Sequence, residues 1–175
     1  MLALIRIDIA MVSKRFPPLD RIDIKILVTL QHDGRSTIQK LAESVALSSR
    51  ACLERVRRLE SAGIISGYQA QIELGMLSQP VQVVADIVLE RHGRQEYFEQ
   101  RLLGIEEIVE CWEVSGDVDY VARFVCPDLA RYEELTATLI DDPQLGIARI
   151  VSHIVLRPVR KFTGYPKSLL FRKTD

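Results

Sequence analysis

Three residues, Ala46, Leu47 and Ser48, separate two amphipathic helical stretches, and few arrangements accept so short a join. From Ser48 to Ser61, Cys52, Val56 and Leu59 fall on one side of a helix of about 3.6 residues per turn, with Leu53 at its edge. Arg50, Glu54, Arg57 and Arg58 fall on the other side, and Arg55 lies at the margin. Ser48 stands at the N-cap, and Gly63 stands where a C-terminal glycine stops a helix. Upstream, Ser36 and Gln39 have the spacing of a capping box, which opens a helix with Ile38, Leu41, Ala42 and Val45 on its apolar side. Helices joined this closely must cross steeply over one small core. The pattern predicts a helix-turn-helix with an arginine-rich second helix, a shape that fits the DNA major groove. A solvated basic face is the other reading, since Glu54 is four residues from both Arg50 and Arg58 and can pair with either. Ala46 occupies a turn that wants positive φ, where alanine costs roughly 1 kcal/mol against glycine.

Around this motif the chain divides into five stretches. Residues 1–18 are an N-terminal extension: Leu4 to Ile9 alternates like a strand, Met11 is an alternative start, and no signal peptide is evident. Residues 19–66 form the helix-turn-helix domain, whose first helix runs from Leu19 to His32. Asp20 caps that helix, and Ile22, Ile26, Leu27 and Leu30 form its buried stripe. Residues 67–80 are a linker strand and hinge, with a small wing or connecting strand expected across 64–73. Residues 81–162 then read as strand 81–90, helix 95–103, strands 108–114 and 119–125, a helix capped by Asp128, and a long strand 147–159. That β-α-β-β-α-β order is ferredoxin-like, and strands apolar on both faces imply pairing with another copy. Residues 163–175 are a C-terminal tail. The fold class is therefore α+β, a winged-type helix-turn-helix followed by a ferredoxin-like βαββαβ domain.

Charge supports this division. Residues 1–74 hold 11 Lys+Arg and 8 Asp+Glu, or +3, while residues 75–175 hold 12 and 16, or −4. A basic front suits a partner rich in phosphate, and an acidic back stays off it. The three cysteines, Cys52, Cys111 and Cys126, are scattered and read as reduced core thiols of a cytoplasmic protein. Apolar runs fall well short of the roughly 20 residues of a membrane span. No catalytic triad, phosphate loop or metal-ligand cluster is legible, so no catalytic residue, metal or cofactor is expected.

The motifs together resemble the leucine-responsive regulator and asparagine-regulator (Lrp/AsnC) family of bacterial transcription factors over roughly residues 19–162. Leu19 to Asp23 is similar to that family's opening. Cys52 to Glu60 with Gly63, Gly67 and Tyr68 is similar to its recognition helix and exit. Val114 to Tyr120 is similar to its effector-domain loop, and Val155 to Val159 is a looser match. The chain departs from the family at Ala46, where glycine is usual, at Ser49, where proline is usual, and in its longer N-terminus. The resemblance implies double-stranded DNA as partner, dimers through back-to-back sheets that assemble to octamers, and a small effector, often an amino acid, held between effector domains. Carried onto this chain, the effector-binding residues are Val114, Ser115, Gly116, Asp117, Asp119 and His153. A flexible glycine admits backbone N–H groups to a carboxylate, and an aspartate can hold an ammonium.

For DNA, Ser48, Ser49, Arg50 and Glu54 are expected to face base edges, while Arg55, Arg57 and Arg58 hold phosphates. Two rival functions fit the same chain. Tetrapyrrole (sirohaem) decarboxylases also resemble this family, but His32, His92 and His153 are dispersed without an evident acid or nucleophile. A protein-interaction adaptor would need acidic partners on the arginine face.

Overall fold

The computed structural model describes residues 19–90 and 95–170. The alternation at Leu4 to Ile9, the rest of the N-terminal extension, His92 and the last five residues lie outside them. Two compact units emerge. Among the described residues, one contains 19–71 together with 160–170, and the other contains 72–90 and 95–159.

In the first unit, α1 (Arg21–His32), α2 (Ile38–Ser44) and α3 (Ser49–Ser61) surround a small core. Ile26, Leu41, Ala42, Cys52, Val56 and Leu59 are buried, with Leu19, Ile22, Leu30 and Ile64 packed around them. Each fully buried Leu or Ile stabilises by roughly 2 kcal/mol. Asp20 caps α1 in a reciprocal box: its carboxylate accepts from the Ile22 and Asp23 N–H groups, and Asp23 accepts from the Asp20 N–H. The cap of α2 is Thr37, not Ser36: the Thr37 hydroxyl accepts from the Lys40 N–H, and its backbone is extended (ψ 153°). Ser36 belongs to the preceding turn, its N–H donating to the Asp33 carbonyl, and its own hydroxyl is buried without a hydrogen bond. Ser48 caps α3 as expected. Gly63, at φ +70°, closes α3 in a Schellman arrangement: its N–H reaches the Glu60 carbonyl and the Ile64 N–H reaches Leu59.

Between α2 and α3, Ala46 has φ +56°, the one positive value found outside glycine among the described residues. Replacing Ala46 with glycine should relieve the left-handed strain, partly offset by the greater freedom of the unfolded chain. We expect a net gain of about 0.5 kcal/mol and a slightly raised Tm, whereas Ala46→Val should lower it. A lowered Tm for the glycine variant would contradict this.

The second unit is a four-stranded antiparallel sheet in the order β2-β3-β1-β4. Its strands are β1 (Val81–Leu89), β2 (Ile108–Glu113), β3 (Tyr120–Cys126) and β4 (Ile147–Ile154). The helices α4 (Gln95–Leu103) and α5 (Leu129–Asp141) cover one face. Val83, Ala85 and Ile87 of β1 stand opposite Phe124, Ala122 and Tyr120 of β3, and all six are buried beneath the helices. Phe98 of α4 meets Tyr120 at 4.8 Å, and Tyr132 of α5 meets Phe124 edge-on at 5.3 Å. The other face carries Val84, Asp86, Val88, Val121, Val125 and Val151, all only partly buried in the single chain.

Two sequence expectations need correction. No ladder forms across 64–73, since the sheet of the second unit contains all the strand pairing among the described residues; apart from a turn of 3₁₀ helix at Leu74–Met76, residues 68–80 lack regular structure. The last strand stops at Ile154 rather than Val159, with one further ladder bond from the Val155 N–H to the Gln82 carbonyl, because β1 begins at Val81 and offers no further partner. Beyond it a one-turn helix, α6 (Lys167–Leu170), forms in the stretch read as a tail.

Candidate nucleic-acid interface and ligand loop

The exposed side of α3 sorts its cations into two groups. Arg50 projects into solvent (91% exposed) and, among the described residues, pairs only with Glu54, one turn on, at 3.3 Å. Arg57 is exposed and makes no ion pair among the described residues. Ser48, Ser49 and Glu54 are exposed beside them at the start of the helix.

Arg55 and Arg58 are committed inside the unit. Arg55 Nη1 donates to Asp20 at 2.7 Å and to Asp23 at 2.8 Å, and Arg58 Nη2 donates to Asp23 at 2.6 Å. The Asp23 side chain is 1% exposed and receives both guanidinium groups. Charge-assisted bonds of this length are the strong kind, and they tie α1 to α3 across more than 30 residues of sequence. Arg55 is therefore a poor phosphate ligand, and Arg58, half exposed, has a prior partner. Sequence reasoning missed Asp23 as the receiver. Its signal was an acid on the stripe side of α1, one turn ahead of Leu27.

The Asp23 backbone N–H and the Arg55 guanidinium hold the Asp20 carboxyl below its ordinary range, and Arg131 does the same for Glu107 in the other unit. A carboxyl depressed in the folded state contributes stability that is present above its unfolded value, near pH 4, and is lost as pH falls through the folded value. Urea midpoints should therefore hold from pH 7 to about pH 5 and fall below about pH 4. For Arg55→Ala, which removes one of the groups depressing Asp20, that acid-side fall should be smaller; an equal fall would contradict the assignment.

In the second unit, the β2–β3 connection carries the loop candidates. Gly116 has φ +128°, and Ser115, Gly116 and Asp117 are exposed. The Val114 N–H donates to the Asp119 carbonyl, and Asp119 Oδ2 accepts from the Leu89 N–H at 2.8 Å. Asp119 thus braces the loop against the end of β1. Asp117 makes no hydrogen bond or ion pair among the described residues. His153 is placed elsewhere in the single chain. It sits opposite Val84, with Nε2 at 3.3 Å from Asp86 on the uncovered face. Val84 is five strand positions from Leu89, roughly 16 Å at about 3.3 Å per residue. The alternation of β4 did not reveal this separation.

A cleft of about 340 Å³ between α4 and β2 was not anticipated. Leu102 and Ile108 give it apolar walls, while Glu99, Glu113, the Tyr120 hydroxyl and Cys111, which is exposed on β2 rather than in the core with Cys52 and Cys126, supply polar groups. Burial and the Glu99 carboxylate, which accepts the Tyr120 hydroxyl at 2.9 Å, push that phenol well up from its ordinary value. Among the described residues no cluster of His, Cys, Asp and Glu could hold a metal, and no helix is long and apolar enough to cross a membrane.

Comparison with known proteins matches both units. Residues 19–66 match the family model for winged helix-turn-helix DNA-binding domains, and residues 82–165 match the Lrp/AsnC ligand binding domain. The leucine-responsive regulatory protein of Haemophilus influenzae is 42% identical over 155 residues, which is 86% of this chain and 92% of that protein. The transcriptional regulatory protein DoeX of Halomonas elongata is 40% identical over 146 residues, 82% of this chain and 91% of its own. Among solved structures, a transcriptional regulator of Neisseria meningitidis in complex with L-Met superposes with a TM-score of 0.81 at 29% identity, covering 88% of this chain and all of that one. With a helix-turn-helix unit followed by a ferredoxin-like unit, and relatives about 40% identical along most of its length, the chain belongs to the Lrp/AsnC family of transcriptional regulators.

Proposed function

We propose that this protein binds duplex DNA through α3, reads its site with Ser48, Ser49, Arg50 and Glu54, and grips phosphate with Arg57. The observation that carries the reading is the division of the arginines. Arg55 and Arg58 hold α3 in place through Asp23, while Arg50 and Arg57 stay exposed. Arginine reads guanine through two hydrogen bonds, and glutamate accepts from cytosine N4. Arg58, half exposed, reaches a phosphate only through the part of its fork that Asp23 leaves unused. The protein acts by binding rather than by catalysis, as expected beside relatives named as transcriptional regulators.

The second unit serves as the sensor and the assembly surface. The valine-rich face of its sheet would be covered by the same face of another copy, and such dimers would assemble further. A small effector, an amino acid by analogy with the L-Met complex of the Neisseria regulator, would engage the loop at Val114, Ser115, Gly116 and Asp117. Asp119 would position that loop, and His153 would reach a ligand only across a subunit junction. Binding there would change the spacing of recognition helices in the assembly, which is coupling between two distinct sites.

Two measurements test this reading. In a gel-shift salt series, Arg57→Ala should bind with a slope shallower by about 0.9, one phosphate contact. An unchanged slope would remove Arg57 from the interface. In a thermal-shift screen of the amino acids, the parent should be stabilised by at least one. Asp117→Ala should lose that response while keeping the parent's Tm without ligand; a retained response would move the site away from the loop.

A further inference from the structure

The segment after β4 leaves the sheet unit at Val159 and rejoins the helix-turn-helix unit from Arg160 onward. Three contacts seat it there. The Tyr165 N–H donates to Gln31 Oε1 at 2.6 Å, at the last turn of α1. Gly164, at φ +117°, lets the chain pass close to the same side chain, since a Cβ there would come within 3.1 Å of the Gln31 amide. Leu170 packs against the small core. Phe162 and Tyr165 stack edge to face at 5.1 Å within the segment.

The docked segment changes the charge of the unit it joins. Residues 19–71 carry 8 Lys+Arg and 6 Asp+Glu, a balance of +2. Residues 160–170 add Arg160, Lys161 and Lys167 with no acid, bringing 11 against 6, or +5. The described part of the sheet unit carries 5 against 16, or −11. Arg160 and Lys167 are exposed and have no ion-pair partner among the described residues. Their dock, Gln31, is six residues ahead of Thr37, the cap of α2. In helix-turn-helix docking it is this helix that crosses the DNA backbone.

We propose that Arg160 and Lys167 contact duplex-DNA phosphates beside the groove that receives α3. The C-terminal segment is thus a second, sequence-independent grip belonging to the DNA-binding unit. The inference rests on the DNA-binding reading above. Phosphate contacts do not depend on sequence, so a mixed-sequence duplex serves as the probe.

The test is the salt dependence of full-length protein binding to that duplex, followed by fluorescence anisotropy. The double variant Arg160→Ala/Lys167→Ala should show a slope shallower by about 1.8, about 0.9 for each contact. Gln31→Ala, which keeps every cation but removes the dock, should also flatten the slope. Sedimentation of each variant should match the parent. A slope unchanged in the double variant would overturn the proposal. So would a smaller assembly in that variant, which would make the segment a subunit contact. A parent that binds no duplex would overturn the DNA-binding reading itself, an outcome distinct from a parent that binds with a slope the variants share.

Discussion

Replacing Asp23 with alanine is expected to lower the stability of the helix-turn-helix unit by about 3 kcal/mol, the low end for breaking a buried charge pair. The Asp23 side chain is 1% exposed and accepts from both Arg55 and Arg58. It also closes the capping box by accepting from the Asp20 N–H. Without it, Arg55, only 26% exposed, keeps Asp20 as a partner at the surface but loses the buried one. Arg58 can turn to water, which is why the top of the range is not expected. In a unit this small, such a loss corresponds to roughly 12 °C or more in Tm. Heat unfolding followed by helical circular dichroism should show the helical unit melting early while the sheet unit holds. Asp23→Asn keeps the shape and should fall between parent and alanine. A loss below about 1 kcal/mol would mean that the network contributes little to holding α1 on α3.

Arg50→Ala should weaken binding to the protein's own site by roughly fivefold to 150-fold, the 1–3 kcal/mol of a two-bond contact to guanine. Its stability should stay within about 0.5 kcal/mol of the parent's, because the side chain is 91% exposed and its pair with Glu54 is a surface pair. Binding to mixed-sequence duplex should change far less, since base contacts carry the discrimination. The comparison with Arg55→Ala is informative. That substitution should lower Tm markedly and reduce binding to both kinds of DNA together, as a weakened scaffold does. If Arg50→Ala reduced both equally, Arg50 would be a phosphate ligand rather than a reader.

Much of the architecture was legible because it is written in local periodicity. The alternation of β1 and β3, the stripe of α3 and the caps at Asp20, Ser48 and Asp128 each stand within a few residues of what they determine. The requirement for positive φ at Ala46 was also readable from the shortness of the turn. What was missed depends on distant partners. Arg55 and Arg58 count as cations of the helix surface until Asp23, 32 and 35 residues upstream, is brought beneath them. Residues 64–73 contain strand-like spacing, but a strand also needs a neighbour to pair with, and no segment pairs with them among the described residues. Thr37 rather than Ser36 caps α2 because the turn opened by Asp33 uses Ser36, a choice two adjacent hydroxyls do not announce. His153 was joined to the ligand pocket from a facing strand by resemblance, and only the β1–β4 register shows it beside Val84 within one chain.

The central claim is that the exposed side of α3 lies in the major groove of duplex DNA. A footprint of the full-length protein across the DNA upstream of its own gene tests it most directly. Protected segments should recur at about one helical turn or multiples of it, as paired recognition helices require, and Arg50→Ala should weaken them at equal protein concentration. A correctly folded parent that protects no part of that DNA, or protection that Arg50→Ala leaves untouched, would contradict the account.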